Sequence, residues 1–304
     1  MNTTQSTRMM TTSGSRDKRI RVPRRRQRAR VRLRRAPLWI AVAALLVIVG
    51  YPLVWLFLGS FKSQREFLEE PTWALPQEWS FENYATAWDT AGLGSALLNS
   101  TVTVVPALFC MLLFGTAAAF ALEVLVWKGR GAVLMIFLAG IMVPAQMILL
   151  PLFSAYFQTG LTGSLWPLFL TYTATGMPLT VFLMATYFRA IPREVFEAAT
   201  LDGASIYRQF FSIAVPMMRN GLFTVGLVQF FFFWNDLLIS LTFANSGKLR
   251  TLQVALLNFN GDFGTTQYGP LFAAVSINVF ALLAIYLVLN QSIQKGLTAG
   301  AVKG

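Results

Sequence analysis

Six long apolar runs dominate the sequence, at approximately 37–60, 96–122, 132–157, 166–188, 219–244 and 270–291. Each is long enough to cross a bilayer as a helix, which takes about 20 residues. The same lengths exclude a barrel, whose strands are about 10 residues long and alternate polar with apolar positions. Only 12% of the 304 residues are charged and 55% are hydrophobic, 26 Phe among them. A soluble chain carries about 25% charge, so these residues cannot cover a water-facing surface. The expected fold is an all-α membrane protein with six transmembrane helices and both termini cytoplasmic.

That orientation follows from where the basic residues lie. The net charge is +12, and 13 of the 25 Lys and Arg precede Ala36, including Arg24-Arg25-Arg26, Arg28, Arg30, Arg32, Arg34 and Arg35. From Ala36 onward the chain carries 12 basic and 12 acidic residues. Residues 1–36 read as a disordered basic cytoplasmic tail and 37–304 as one transmembrane domain. No aromatic residue interleaves the arginines to stack bases, so nucleic acid is not an expected partner. The tail instead holds its end on the cytoplasmic side, near anionic lipid. With both termini inside, 21 basic residues lie inside and only Lys62, Arg65, Lys248 and Arg250 outside. A tail of 36 residues is too long for the start of a signal peptide, and five more runs follow, so the first run is expected to be retained.

The chain has no His and a single Cys, Cys110. Zinc held by Cys and His, an intramolecular disulfide, a Ser-His-Asp triad and His-ligated haem are thereby excluded. There is also no Gly-rich phosphate loop ending in Gly-Lys-Ser or Gly-Lys-Thr, so ATP hydrolysis is not expected on this chain.

The loop 61–95 is acidic and contains Trp73, Trp79 and Trp88, which suit either anchoring at the outer membrane interface or contact with a soluble partner. The loop 245–269, with Gly247, Gly261, Gly264 and Asn258-Phe259-Asn260, suits a segment that reaches into a partner.

The densest signal lies in the cytoplasmic segment 189–218. Pro192 and Glu194 sit where a helix begins, Ala198 and Ala199 favour helix, and Gly203 can end it in a left-handed conformation. Ser205 can cap a second helix running back to the membrane. Within it, Glu197-Ala198-Ala199 is followed after three residues by Gly203, after nine more by Ile213, and then by Val215-Pro216. This pattern resembles the cytoplasmic loop of permease subunits of ATP-binding-cassette importers, Glu-Ala-Ala-(three)-Gly-(nine)-Ile-any-Leu-Pro, with Val215 in place of Leu. Asp202 and Ala204 around the glycine, Asn99-Ser100, Pro144, Gln146 and Pro151-Leu152, Trp234-Asn235-Asp236 and the Gly-rich end from Gly296 resemble the smaller permease of the carbohydrate-uptake, maltose-transporter type. The resemblance covers 37–304 and leaves the basic tail outside.

It implies a type I importer permease in a prokaryotic plasma (inner) membrane. Its partners would be a second permease, two ATPase subunits, an extracytoplasmic solute-binding protein, a sugar and membrane lipid. No cofactor would bind this chain, ATP-Mg being held by the ATPases, and the chain would not be an enzyme. Glu197, Ala198, Ala199, Asp202, Gly203, Ala204 and Pro216 would form the ATPase-coupling element, with Phe210 and Phe211 bracing it or simply anchoring it in lipid. Gly300, Ala301, Lys303 and Gly304 would approach the ATPase dimer. Polar residues in the spans, Asn99, Gln146, Trp234, Asn235, Asp236 and Asn278, are candidates to line the path. A glycerol-phosphate or other polyol importer, and an ion-coupled secondary transporter, are the rival readings; the latter calls for buried ionisable groups, of which the spans hold only Asp236 and, at an end, Glu123.

Overall fold

A computed structural model describes residues 24–245, 247–259 and 266–301. The described residues divide into two units, 24–54 and those from Trp55 onward. The first is helix α1, Arg24–Gly59, whose last turn enters the second unit. The expectation of a disordered tail thus gives way from Arg24 to helix, while residues 1–23 lie outside the described residues. Arg, Ala and Leu are good helix formers, and the apolar run supplies the costly nucleus from which helix extends backward. Leu38, Trp39 and Ile40 are 62–70% exposed, an apolar surface suited to hydrocarbon rather than water.

In the second unit, α2 (Gln64–Glu69) and α3 (Glu82–Thr90) are short, and α4 (Leu93–Glu123) is long. The chain continues through α5 (Arg130–Ile141), α6 (Ala145–Gln158), α7 (Trp166–Arg189) and α8 (Glu194–Leu201). Helix α9 (Ile206–Arg208) passes through a π-helical stretch, Gln209–Ala214, into α10 (Val215–Met217). Then come α11 (Arg219–Trp234), α12 (Leu238–Phe243), α13 (Leu252–Ala255) and α14 (Tyr268–Ala301). The regular elements of the described residues are helical.

The apolar runs are not all straight spans. Four helices are long and apolar enough to cross a membrane: Pro37–Gly59, α4, α7 and Tyr268–Leu287. Two further pairs qualify only together: α5 with α6, bent by 95°, and Ile206–Met217 with α11, bent by 73°. The run expected as one helix over 132–157 breaks before Pro144, which sits extended at ψ 127°, lacks an N–H and disfavours helix in the residue before it. The run expected over 219–244 stops at Trp234. There the Asp236 carboxylate accepts the backbone N–H of Ser240 at 3.0 Å, a side-chain alternative to continued helical bonding that starts α12 instead.

Helices α4 and α7 form the centre. Small residues let their backbones approach: a Cβ on Gly115 would lie 2.6 Å from Thr180 Cγ2, and one on Gly176 would collide with Met111 Sδ and lie 2.7 Å from Phe233 Cζ. Gln229 of α11 crosses to the same place, donating to the Gly176 carbonyl at 3.1 Å and to Thr180 Oγ1 at 3.2 Å. On the loop 61–95, Trp73, Trp79 and Trp88 are 74, 57 and 49% exposed.

Candidate functional site

Segment 189–218 folds as a helix, a turn and a second helix. The turn before α8 is closed by the Pro192 carbonyl accepting Val195 N–H (3.3 Å) and the Arg193 carbonyl accepting the N–H groups of Phe196 (2.9 Å) and Glu197 (3.1 Å). At the other end Gly203 has φ +77°, and the N–H groups of Gly203 and Ala204 bond the Thr200 and Ala199 carbonyls at 3.0 and 2.9 Å. This paired closure is the glycine-dependent helix stop, and a side chain at Gly203 would be strained by φ alone, since nothing lies within 4 Å of its Cβ position. Ser205 Oγ accepts Arg208 N–H at 3.3 Å and caps α9.

The tip is fixed from beneath. Phe196 and Ala199 of α8 and Phe210 of the π-helical stretch are buried. The Phe120 ring near the end of α4 meets Phe188, Phe196 and Phe210 at centroid distances of 5.8, 5.8 and 5.4 Å. Burying each such ring contributes about 2 kcal/mol. Gln209, 5% exposed, donates to Thr200 Oγ1 and to the Ala204 carbonyl, both at 3.0 Å, and so laces α8 to the helix after the turn. The two helices therefore present their outer face as one rigid body.

That face carries most of the expected coupling residues. Glu197, Ala198, Asp202, Gly203 and Pro216 are exposed and Ala204 is half-buried. Ala199 instead faces inward, 7% exposed, so its small size serves packing against the spans rather than approach by a partner. The two phenylalanines split: Phe210 is buried at 6% and Phe211 is 57% exposed. Beside Glu197 the chain exposes Leu201 at 88% and Tyr207 at 79%, two large side chains not singled out from sequence. Helical period would have found Leu201, because Phe196 and Ala199 facing in put 201 outside. A cleft of about 490 Å³ behind the tip is lined by Glu123, Arg189, Arg193, Glu197 and Gln209 among others.

The polar residues expected to line a path have mostly been taken up by internal bonds. Asn99 donates to the carbonyls of Lys248 (2.7 Å) and Arg250 (3.0 Å). Trp234 Nε1 donates to Asn278 Oδ1 at 2.9 Å, both residues buried. Asp236 accepts Tyr172 OH at 2.9 Å, and Tyr172 OH also lies 2.9 Å from Ser240 Oγ. Gln146 and Asn235 are exposed, Asn235 Nδ2 donating to the Phe231 carbonyl at 2.9 Å. The structure thus brings Trp234, Asn235 and Asp236 to one helix break with Asn278 and Tyr172, and leaves Asn99 and Gln146 elsewhere. Gly300 and Ala301 continue α14 as helix, while Lys303 and Gly304 lie outside the described residues.

Residues 111–298 match the family model described as "Binding-protein-dependent transport system inner membrane component". The chain is 34% identical over 258 residues to the diacetylchitobiose uptake system permease protein NgcG of Streptomyces coelicolor, covering 84% of this chain and 85% of that one. It is 29% identical over 254 residues to the melibiose/raffinose/stachyose import permease protein MelC of Bacillus subtilis, covering 83% and 91%. A crystal structure of a bacterial ABC transporter involved in the import of the acidic polysaccharide alginate contains a chain of the same fold, with TM-score 0.75 at 19% identity over 86% of this chain and 96% of that one. The glycine-stopped tip, the broken apolar spans and these matches together place the chain in the family of binding-protein-dependent transport system inner membrane components, the non-enzymatic permeases of ATP-binding-cassette importers.

Proposed function

We propose that this chain is one of two membrane subunits of an importer for a mono- or oligosaccharide, acting by alternating access driven by ATP hydrolysis on two partner ATPases. The sugar class is supported by relatives whose names specify diacetylchitobiose, melibiose/raffinose/stachyose and alpha-glucoside. A relative named for sulfoquinovosyl glycerol keeps a glycerol-linked substrate as the second reading.

In this reading the four continuous spans and two bent pairs make six crossings, with both termini cytoplasmic and 21 of 25 basic residues inside. Residues 1–36 are a cytoplasmic appendage to the transmembrane domain 37–304. A binding protein delivers substrate from outside, and ATP-Mg stays on the ATPases. Exposed Glu197, Ala198 and Asp202 dock on an ATPase cleft, Gly203 aims the helix and Ala204 and Pro216 lie along it. Leu201 and Tyr207 add the apolar contact that anchors such interfaces. Gly300, Ala301, Lys303 and Gly304 extend toward the ATPase dimer. Among the path candidates, exposed Gln146 and Asn235 are the ones with side chains able to meet substrate, whereas Asn99, Trp234, Asp236 and Asn278 hold the walls.

The carrying observation is the tip itself: an acidic and apolar face held rigid by Gln209 and the phenylalanine cluster. Glu197→Lys and Gly203→Val should each abolish uptake of the cognate sugar in membrane vesicles while the protein level in the membrane stays normal. Normal uptake in both variants, or failure of any ATPase subunit to co-purify, rules the reading out.

A further inference from the structure

An apolar groove of about 650 Å³ runs between α4 and α11 on the membrane-embedded body. Val105, Leu108 and Leu112 line one side and Leu222, Leu227 and Phe230 the other, with Pro216 and Arg219 at one end. Arg219 is exposed, and among the described residues no carboxylate pairs with it. An arginine with no carboxylate on it, at the end of an otherwise apolar groove, offers a charge-assisted contact to an anionic headgroup at the membrane surface.

The dimensions specify the anion's tail. From Arg219 to Phe230 helix α11 rises about 16 Å at about 1.5 Å per residue, which equals one leaflet's share of a hydrocarbon core about 30 Å thick. In the topology proposed above, Arg219 stands at the cytoplasmic boundary and Phe230 near the midplane. We infer that this groove binds one acyl chain of an anionic phospholipid from the cytoplasmic leaflet, with the headgroup phosphate on Arg219. A zwitterionic lipid offers the same phosphate but carries its own ammonium beside it, so a net anionic headgroup meets the guanidinium more favourably, and a span of the partner permease would fill the groove without being fixed to one leaflet's length. Because the groove ends at Pro216, the last residue of the proposed coupling element, a bound lipid packs where α10 meets α11 and stiffens that bend.

The inference rests on the importer reading, and the test separates the two. The full complex, with second permease and ATPases, is reconstituted into nanodiscs of phosphatidylglycerol or phosphatidylcholine, re-extracted, and examined by native mass spectrometry for retained lipid. Phosphatidylglycerol should be retained about fivefold over phosphatidylcholine, Arg219→Lys should keep that preference, and Arg219→Gln should lose it. Equal retention of both lipids, or an unchanged preference in Arg219→Gln, overturns the inference. So does an efficient disulfide from Leu227→Cys, in a Cys110→Ala background, to a cysteine placed in a partner-permease span. Loss of the ATPases from the wild-type sample would instead refute the importer reading.

Discussion

Arg189 sets Nε at 3.0 Å and Nη2 at 2.6 Å from the same carboxylate oxygen of Glu123. These are the last residues of α7 and α4, so the pair ties the C-terminal ends of the two central helices directly behind the tip. A carboxylate at a helix C-terminus is disfavoured by the helix dipole, and the arginine offsets that while suiting its own helix end. Trp127 Nε1 bonds the Ala121 carbonyl at 2.9 Å and folds the following loop over the same corner. In the importer reading proposed above, a displacement of α8, which lines one cleft with both residues, would reach both spans through this pair.

Reversing one charge should break this relay and reversing both should mend it. Glu123→Arg and Arg189→Glu are each expected to cost only about 1 kcal/mol of stability, the Arg189 side chain being 55% exposed. Transport per ATP hydrolysed in proteoliposomes should nonetheless fall severalfold in each single variant. The double exchange should recover most of it, and a double variant no better than the singles would contradict the role.

At Gly203 the requirement is conformational. The φ of +77° costs an ordinary residue about 1–2 kcal/mol, and Asn tolerates it best. With open space at the Cβ position, Gly203→Asn should keep most sugar uptake while Gly203→Val loses it. Equal effects of the two substitutions would remove the backbone explanation.

Segment 189–218 was legible because its signals are local: a proline, a stopping glycine and a serine cap each act within a few residues, and each sits where the sequence places it. What escaped sequence reading depends on contacts distant in the chain. Ala199 faces inward on the side of α8 whose Phe196 packs on Phe120, far along the sequence, and polarity alone did not distinguish exposed polar residues of the spans from those bonded internally. Trp234 and Asn278 are polar within the spans because they bond each other, 44 residues apart. The break at Asp236 was hidden by a hydropathy that stays high on both sides of it. Helix up to Arg24 was missed because composition reads a run of arginines as repulsive, whereas helix propagating from an apolar span tolerates it.

Gln209 is the strongest case of a residue identified by structure alone. Replacing it with Leu removes two donors, to Thr200 Oγ1 and the Ala204 carbonyl, at a buried position, which should cost about 1–3 kcal/mol locally. The tip should then loosen from the helix that carries it. Faster amide exchange over 196–209, together with lower transport per ATP and unchanged membrane insertion, is the expected result. Unchanged exchange in that segment would contradict the lacing role.

On the opposite loop, Glu66 makes a pH-dependent fastening. Its burial alone pushes the carboxyl pKa up, but the backbone N–H groups of Gln77 and Ser63 and the Ser63 hydroxyl donate to it and together hold it below the ordinary carboxylate value. The bonds are short: Gln77 N–H to Oε1 at 2.6 Å, and Ser63 N–H and Oγ to Oε2 at 2.7 and 2.9 Å. A carboxyl that titrates lower when folded contributes stability above the unfolded value of about 4.3 and loses it as pH falls through the folded value. Wild-type protein should therefore lose amide protection over 63–77 when taken from pH 6 to below about pH 4, after correction for intrinsic exchange rates. Glu66→Gln, whose amide oxygen still accepts but never ionises, should be less protected at pH 6 and should lack that acid-dependent loss. If both proteins show the same pH dependence, the fastening at Glu66 is not electrostatic.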